Sequence, residues 1–514
     1  MRNLGEGSIE DAMHEKEQLL IGERRSFLKA VQWSYTLVWG EKGISALLFF
    51  VLAGLVGPRD FGAVSIATIY VAFLQMFLDQ GLAAALIQRT TLEQAHLNAV
   101  FWANLILGLG LVLISILFSR QWAAFNHDPQ LAAVISVLSF SILLQALSIV
   151  QVAVLQREMN FRSLSIRSNV SMVVSGILGV VMAFYGLGVW ALVGQQIVRD
   201  VVALVLLWRV SSWRPNLRFS WRHLTQLLGF SLPHFVAQLA NFFDAQVAAI
   251  VLGIFFGPVA VGLYKLAERA MLTVLMMSSS SIHTVSFGQF SRLQNRPVEL
   301  KQSVLTSVRM SSIMSLPALA GLAMISDQLI ANIGSSWGPA SDALKVLCIV
   351  GVAYIVSGYT SPLLQALGRP QQSAILEWLR TVAGIAVLIV AGLMVRNSDP
   401  QYQVLSIAVA RLFTTLLLVI PIFIPIFLSV SGISLRDFLD AALPSILASL
   451  AVILPVACLH YFLPGESGSR IMLVAEVAIG TVGGMTTLLS VDSQLRSLVW
   501  RELVFAKRRI CRTS

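Results

Sequence analysis

The chain is 514 residues long, 56% hydrophobic and only 12% charged, with a mean hydropathy of +0.78, whereas soluble domains carry about 25% charged residues. A water-soluble globular fold is excluded. Its 36 basic and 26 acidic residues leave a formal charge of +10, which in so apolar a chain bears on loop orientation rather than on nucleic acid.

Residues 1–32 mix acids with bases (Glu6, Glu10, Asp11, Glu15, Lys16, Glu17, Arg24, Arg25) and lack the apolar core and cleavage site of a signal peptide; they read as a cytoplasmic tail. Apolar runs bounded by charged or Gly/Pro loops then predict an all-α polytopic membrane protein of about 14 transmembrane helices. Their limits are Trp33 to Val56, Phe61 to Leu78, Leu97 to Phe118, Leu131 to Leu155, Val170 to Phe184, Val189 to Trp208 and Phe230 to Phe256. The second series runs Val259 to Ile282, Val304 to Ile325, Asp342 to Leu367, Ala374 to Val395, Val404 to Leu428, Phe438 to Phe462 and Ile471 to Val491. The stretch from Phe101 to Phe118 is apolar nearly all round, unlike the alternating segments of about ten residues in an outer-membrane barrel.

Gly57-Pro58-Arg59-Asp60-Phe61-Gly62 joins the first two spans, and Gly257-Pro258-Val259-Ala260-Val261-Gly262 joins the seventh and eighth. The repeated G-P-x-x-x-G, at the same place in each unit of six helices, predicts two six-helix lobes, as in transporters built from repeated halves. The organisation expected is a tail over 1–32, a first lobe over 33–210, a linker over 211–229, a second lobe over 230–428, an extra helix pair over 429–491 and a basic tail over 492–514. With a cytoplasmic N-terminus, loops and tails on that side hold roughly 24 bases against about four opposite (Arg59, Arg120, Arg396, Arg470), the asymmetry of the positive-inside rule. Both termini then face the cytoplasm.

Several charges fall inside predicted spans, where each costs about 2.5–3.5 kcal/mol unless it meets a partner or a wet cavity. Arg309, Lys345, Glu377 and Arg380 read as lying near helix ends, where snorkelling suffices. Glu41 and Lys42, Arg199 and Asp200, Asp244, the one-faced set Lys265, Glu268 and Arg269, Arg411, and Glu476 complete the group. His234, Gln238, Asn241 and Asp244 form a polar stripe; Thr68, Gln75 and Asp79 form another, as do Arg411, Thr414 and Thr415. The plainer reading of these is interhelical hydrogen bonding and salt bridges; the sharper one is a polar cavity. Bases in both halves would suit an anionic substrate, and an acid such as Asp244 could take up a proton or coordinate sodium. There is no Walker-type phosphate loop, and the seven histidines and three cysteines show no metal-ligand spacing, so neither ATP, a metal nor another cofactor is called for.

Beyond these readings, Gly57-Pro58-x-Asp60-Phe61-Gly62, Asp79-Gln80-Gly81 and Ala84-Ala85-Leu86-Ile87-Gln88-Arg89 resemble the start of Wzx-type polysaccharide exporters, in the colanic-acid and succinoglycan branch. The resemblance runs on through Leu155-Gln156-Arg157-x-Met159-x-Phe161-Arg162, Gly188-Val189-Trp190-Ala191-Leu192-Val193, Trp213-Arg214-Pro215 with Phe219, and Asp244 with Gly253, Gly262 and Tyr264. It ends near Leu364-Gln365-Ala366-Leu367-Gly368-Arg369-Pro370, so it covers residues 30 to 430 and leaves the last helices without a motif. It implies the multidrug/oligosaccharidyl-lipid/polysaccharide exporter superfamily: two lobes in a V around a central cavity, a bacterial inner-membrane location, and flipping of undecaprenyl-diphosphate-linked oligosaccharide to the periplasmic leaflet by alternating access. Inner-membrane lipids would be further partners, with room for a polysaccharide polymerase and a chain-length regulator. On that reading Lys265, Arg269 and Arg411, with Lys42 and Arg309, attract the diphosphate or acidic sugars, while Asp244 or Glu41 couples to an ion gradient. A multidrug/cation antiporter of the same superfamily, and a membrane polymerase or ligase, stay open as alternatives; the second would need an outward catalytic loop that the sequence does not offer.

Overall fold

The computed structural model describes residues 42–79, 82–89, 92–126, 128–462 and 470–492, with Gly40 and Arg496 beside them. Among the described residues all regular structure is helical. In chain order the helices are α1 (Lys42–Leu55), α2 (Pro58–Asp79), α3 (Leu82–Gln88), α4 (Gln94–Phe125), α5 (Gln130–Leu138), α6 (Phe140–Ala146), α7 (Ile149–Arg157), α8 (Phe161–Phe184), α9 (Val189–Val210) and α10 (Trp221–Phe256). There follow α11 (Pro258–Arg292), α12 (Pro297–Met324), α13 (Ser326–Ile333), α14 (Ala340–Ser357), α15 (Thr360–Ala366), α16 (Pro370–Met394), α17 (Pro400–Leu418), α18 (Ile424–Ser431), α19 (Leu435–Phe462) and α20 (Arg470–Val491).

Eleven spans among the described residues are long and apolar enough to cross a membrane, or twelve if α12 and α13, bent by 62° at their junction, make one span. The chain is therefore a multi-pass helical membrane protein. Of the other two spans expected from sequence, one lies in α11, a 35-residue helix that holds Lys265, Glu268 and Arg269. The other begins at Trp33, outside the described residues, and continues as α1.

Breaks in the helices have local causes. Pro58, Pro258, Pro297, Pro370 and Pro400 open α2, α11, α12, α16 and α17 at positions where the missing N–H has no intrahelical partner to lose. Between α17 and α18 residues Val419–Phe423 widen into a π-helical turn around Pro421, whose ring nitrogen cannot donate to the preceding turn.

The chain divides into two compact units. Among the described residues the first takes 42–55, 70–119 and 132–236, and the second takes 56–69, 120–131 and 237–492. In the first, α8 packs closely on α9 and α1 through small residues: a Cβ on Gly179 of α8 would meet Gln195 of α9, one on Gly194 of α9 would meet Met182 of α8, and one on Gly176 would meet Leu48 of α1. In the second, serines supply polar contacts between α11 and α12, with Ser278 Oγ 2.6 Å from Ser315 Oγ and Ser286 Oγ donating to Ser307 Oγ at 2.8 Å. Such side chains satisfy one another where lipid offers no partner.

The two G-P-x-x-x-G segments meet within the second unit. A Cβ on Gly62 would overlap the Pro258 carbonyl and crowd the Gly262 nitrogen, and one on Gly262 would overlap the Pro58 carbonyl and crowd the Gly62 nitrogen. The first turns of α2 and α11 thus cross backbone to backbone, in a reciprocal contact that only glycine permits. The leading glycines are not equivalent. Gly257 has φ +77° and ψ −169°, a region essentially confined to glycine that costs another residue about 1–3 kcal/mol, whereas Gly57 has open space around it and no such φ. Nearby, Phe61 packs edge-on against Trp337 at 5.7 Å, and Arg59 lies 3.9 Å from the buried carboxylate of Asp128.

This crossing generates a ranked prediction. Gly62→Ala and Gly262→Ala should each greatly lower the yield and melting temperature of monodisperse protein. Gly257→Ala should cost about 1–3 kcal/mol, and Gly57→Ala almost nothing. Thermal melting of the four purified variants reads the order directly; equal effects at positions 57 and 62 would contradict the crossing.

Candidate functional site

In the second unit, charges that the sequence scatters over four helices come together. Asp244, about six turns into the long α10 and 9% exposed, receives Arg411 of α17 at 3.2 Å and Arg380 of α16 at 3.1 Å, both on Oδ2. Its second oxygen, Oδ1, is buried with no hydrogen-bond partner. Arg380 also meets Glu377 at 2.7 Å, one turn earlier on α16, and Ser361 Oγ donates to that carboxylate at 2.6 Å. Arg411 donates from Nε and Nη2 to the Tyr354 hydroxyl of α14 at 3.1 and 2.7 Å. The Thr381 hydroxyl donates to the Ala240 carbonyl at 3.2 Å, tying α16 to α10 one turn before Asp244.

On α11 the spacing read from sequence holds: Lys265 meets Glu268 at 2.6 Å and donates to Gln246 of α10 at 2.9 Å. Arg269 follows on the same helix, partly buried. Tyr264, 1% exposed, interacts electrostatically with Glu268, Arg411, Tyr354 and Asp244, so the two ion-pair groups form one network. Arg411, Arg380, Lys265 and Arg269 face Asp244, Glu377 and Glu268, which leaves a cationic excess of one. Arg380 departs from the sequence expectation. With α16 starting at Pro370 it sits mid-helix, too deep for snorkelling, and its charge is met by Asp244 and Glu377.

The first unit holds a different arrangement. A cavity of about 440 Å³ is lined by Gln75, Gln145, Gln156, Arg167, Gln196, Arg199 and Asp200, together with serines and aliphatic residues of α3, α6, α7 and α9. This is within the usual range of 300–1,000 Å³ for a ligand pocket. Arg199 meets Asp200 at 3.2 Å, and Gln196 Nε2 donates to the same carboxylate at 3.2 Å. One guanidinium and one amide therefore meet the Asp200 carboxylate, and Arg167 and three further amides line the same space. Sequence reading placed Gln75, Arg199 and Asp200 in spans, yet put Arg167 in a loop and passed over the other glutamines. Their common signal is a glutamine on each of several otherwise apolar helices.

The remaining expected residues fall elsewhere. Arg309 belongs to a separate pair, with Asp492 at 2.7 Å and 1% exposed, that fastens the end of α20 to α12. Lys42 is exposed on α1, and Glu41 lies outside the described residues. In the polar stripe of α10, Gln238 and Asn241 are exposed; the side chain of His234 is outside the described set. The Thr414 and Thr415 hydroxyls are taken by carbonyls of their own helix at 2.8 and 2.7 Å. Gly57, Pro58, Gly62, Gly257, Pro258 and Gly262 are the crossing described above.

Folding also gathers Glu93, His96 and His223, whose possible ligand atoms lie within 4.8 Å of one another, a grouping the sequence spacing hides. The hydrogen bonds there are those of a helix cap. The Glu93 N–H donates to His96 Nδ1 at 3.3 Å, at the head of α4, His96 Nε2 lies 3.3 Å from Gln226 Oε1, and Arg89 donates to that same oxygen at 2.8 Å. With Nδ1 accepting from the Glu93 N–H and Nε2 donating to Gln226 Oε1, neither ring nitrogen of His96 has a lone pair left for a metal, so His96 is oriented as a cap rather than as a ligand.

With this geometry in view, comparison with known proteins is informative. The chain is similar to the succinoglycan biosynthesis transport protein ExoT of Rhizobium meliloti (strain 1021), 26% identical over 486 residues that make up 94% of this chain and 96% of that protein. It is similar to the lipopolysaccharide biosynthesis protein WzxC of Escherichia coli (strain K12), 24% identical over 374 residues, 72% of this chain and 76% of that one. Among solved structures, the lipid II flippase MurJ in an inward closed conformation superposes with a TM-score of 0.70 at 16% identity, covering 92% of this chain and 100% of that chain. This likeness shows the fold. Residues 51–342 match the family described as polysaccharide biosynthesis protein, to which this chain therefore belongs.

Proposed function

We propose that the protein flips a polyprenyl-diphosphate-linked oligosaccharide, of the undecaprenyl type, from the cytoplasmic to the periplasmic leaflet of a bacterial inner membrane, both termini being cytoplasmic. The observation that carries this reading is the first unit's cavity: a 440 Å³ space rich in glutamine and arginine inside an otherwise apolar bundle. Amides suit sugar hydroxyls, and guanidiniums pair with phosphate in two-pronged fashion. The whole-length similarity to a succinoglycan transport protein supports the same substrate class. A transporter reading leaves catalysis to partners such as a polysaccharide polymerase and a chain-length regulator.

Within the second unit, pairing limits what each base can offer. Arg411 and Arg380 are held by Asp244, Arg309 by Asp492 and Lys265 by Glu268, so an anionic group would have to compete with these carboxylates for the bases of this unit. Asp244 is the coupling group in this proposal: Oδ1 has no donor and could accept a proton or sodium, which would loosen its hold on both arginines. Glu41 keeps the same assignment as a second candidate.

Three measurements test this. First, deletion of the gene should abolish exported polymer and leave lipid-linked repeat units in the cytoplasmic leaflet of inner-membrane vesicles; unpolymerised units on the periplasmic side would transfer the defect to polymerisation. Second, Arg167→Gln with Arg199→Gln should lower flipping about 10- to 150-fold, the worth of a charge-assisted hydrogen bond of about 1.5–3 kcal/mol; unchanged flipping by well-expressed protein would remove the cavity from the substrate path. Third, Asp244→Asn should lose gradient-dependent transport, whereas Tyr354→Phe, which strips Arg411 of its neutral acceptor, should lower stability by about 1.5–3 kcal/mol in thermal melting and retain the gradient dependence. Full gradient-driven transport by Asp244→Asn would take Asp244 out of the coupling step.

A further inference from the structure

Glu476 is a buried acid for which the transport reading has no use. It lies in the second turn of α20, its side chain wholly buried. One oxygen, Oε1, receives Gln328 Nε2 of α13 at 2.9 Å and lies 2.7 Å from His460 Nε2 of α19. The other, Oε2, is buried without a hydrogen-bond partner. Beside it is a separate cavity of about 220 Å³ lined by Val274, Pro317, Gly321, Val452, Val477 and Gly480 among others, nearly all apolar. An anion here has one solvated side fewer than it needs. The cost of leaving an ionised group so placed is several kcal/mol.

His460, in the last turn of α19, is 30% exposed while the Glu476 side chain is wholly buried, so the imidazole is the side of the pair open to the surroundings. At 2.7 Å the ring nitrogen and the carboxylate oxygen must share a hydrogen, because two bare lone pairs at that distance repel. With the imidazole neutral and its hydrogen on Nε2, the pair carries one negative charge. We propose that His460 and Glu476 form a proton-binding site in the last helix pair, loaded from water through the imidazole and neutral when occupied. A proton arrives on Nδ1 of His460; the hydrogen on Nε2 passes to Oε1 of Glu476; the products are a neutral imidazole, now protonated at Nδ1, and a neutral carboxylic acid. One proton is taken up and no other group changes charge. The Gln328 amide nitrogen lies 2.6 Å from His460 Nε2 as well as 2.9 Å from Oε1; it can donate to Nε2 only when that nitrogen carries its lone pair, so these contacts are those of the loaded state, and in the unloaded state the amide donates to Oε1 alone.

The other charged groups on the elements around the pair are already engaged. Asp327 on α13 interacts with His460 but is held by Lys345 of α14 at 2.9 Å and by the Ser341 hydroxyl, with Asp342 also on Lys345 at 3.2 Å. On α12, Lys301 meets Asp437 of α19 and Arg309 meets Asp492, both pairs belonging to the opposite end of these helices. Glu299 pairs with Arg296, and α20 itself opens with Arg470. None of these acids or bases is placed to substitute for Glu476 as the bearer of the proton. The site stands whatever molecule the chain moves, and it is distinct from Asp244.

Infrared difference spectroscopy on the full chain in lipid nanodiscs, taken across a pH series in H2O and D2O, tests the assignment. The wild type should show a carbonyl-stretch band of a protonated carboxylic acid that titrates and shifts on deuteration. Glu476→Gln should lose that band, Asp244→Asn should keep it, and His460→Gln should move it to higher frequency as the acid loses its imidazole acceptor. Retention of every titrating carbonyl band in a folded Glu476→Gln variant would overturn the proposal, as would a wild-type protein with no such band. If Glu476→Gln does not fold, His460→Gln decides alone: an unmoved band rejects the pair.

Discussion

A charge in hydrocarbon must find a counter-charge, a dipole or water, and in this chain that demand decides where helices stand against one another. A central charge costs about 2.5–3.5 kcal/mol in membrane insertion, and the interior charges here are answered in groups that each draw on several helices. The Asp244 network draws on α10, α11, α14, α16 and α17, the Arg309–Asp492 pair on α12 and the end of α20, and the Glu476 group on α13, α19 and α20. Neighbouring apolar faces give little guidance to helix registry in lipid, where hydrocarbon competes on equal terms with leucine. Ion pairs and buried hydroxyls are directional, and so they can set registry.

The glycine crossing answers a complementary demand. Two helices approach to backbone contact only where side chains are missing, and Gly62 and Gly262 remove them in reciprocal positions. A repeat that brings its two copies of a motif face to face has a built-in pseudo-two-fold contact, and any substitution there acts on both helices at once. The motif is therefore better understood as a packing device than as a loop signature. The glycine five residues earlier, though identical in sequence, is conformationally required only in the second copy, where φ is positive.

Much of the architecture was legible in the residues. Apolar length marked nearly every helix, proline marked the starts of five of them, and the spacing of Lys265 and Glu268 correctly put both on one face of α11. What the sequence hid were relations across it. Arg380 looked peripheral because the start of α16 was placed four residues too late, and nothing local says that it reaches Asp244, 136 positions away in number, rather than the headgroups. The cavity of the first unit was invisible because single glutamines on separate apolar helices each read as minor polar contacts. Glu93, His96 and His223 escaped notice for the same reason: tertiary folding, not spacing, assembles them.

The balance of charge separates two tasks that a sequence reading merges. Counting bases inside spans makes the whole interior look cationic and so attractive to phosphate. Once partners are assigned, the second unit's network is nearly neutral, with its strongest cations turned onto Asp244 and Glu377. A network so balanced responds sharply to a single added positive charge, since neutralising Asp244 leaves two guanidiniums facing one another without a carboxylate between them. The first unit's cavity is lined instead by several amides, with Arg167 and the Arg199–Asp200 pair among them. In the proposed cycle, recognition of a sugar-bearing substrate is the task suited to that amide-rich lining, and switching the task suited to the network that neutralising Asp244 would disturb.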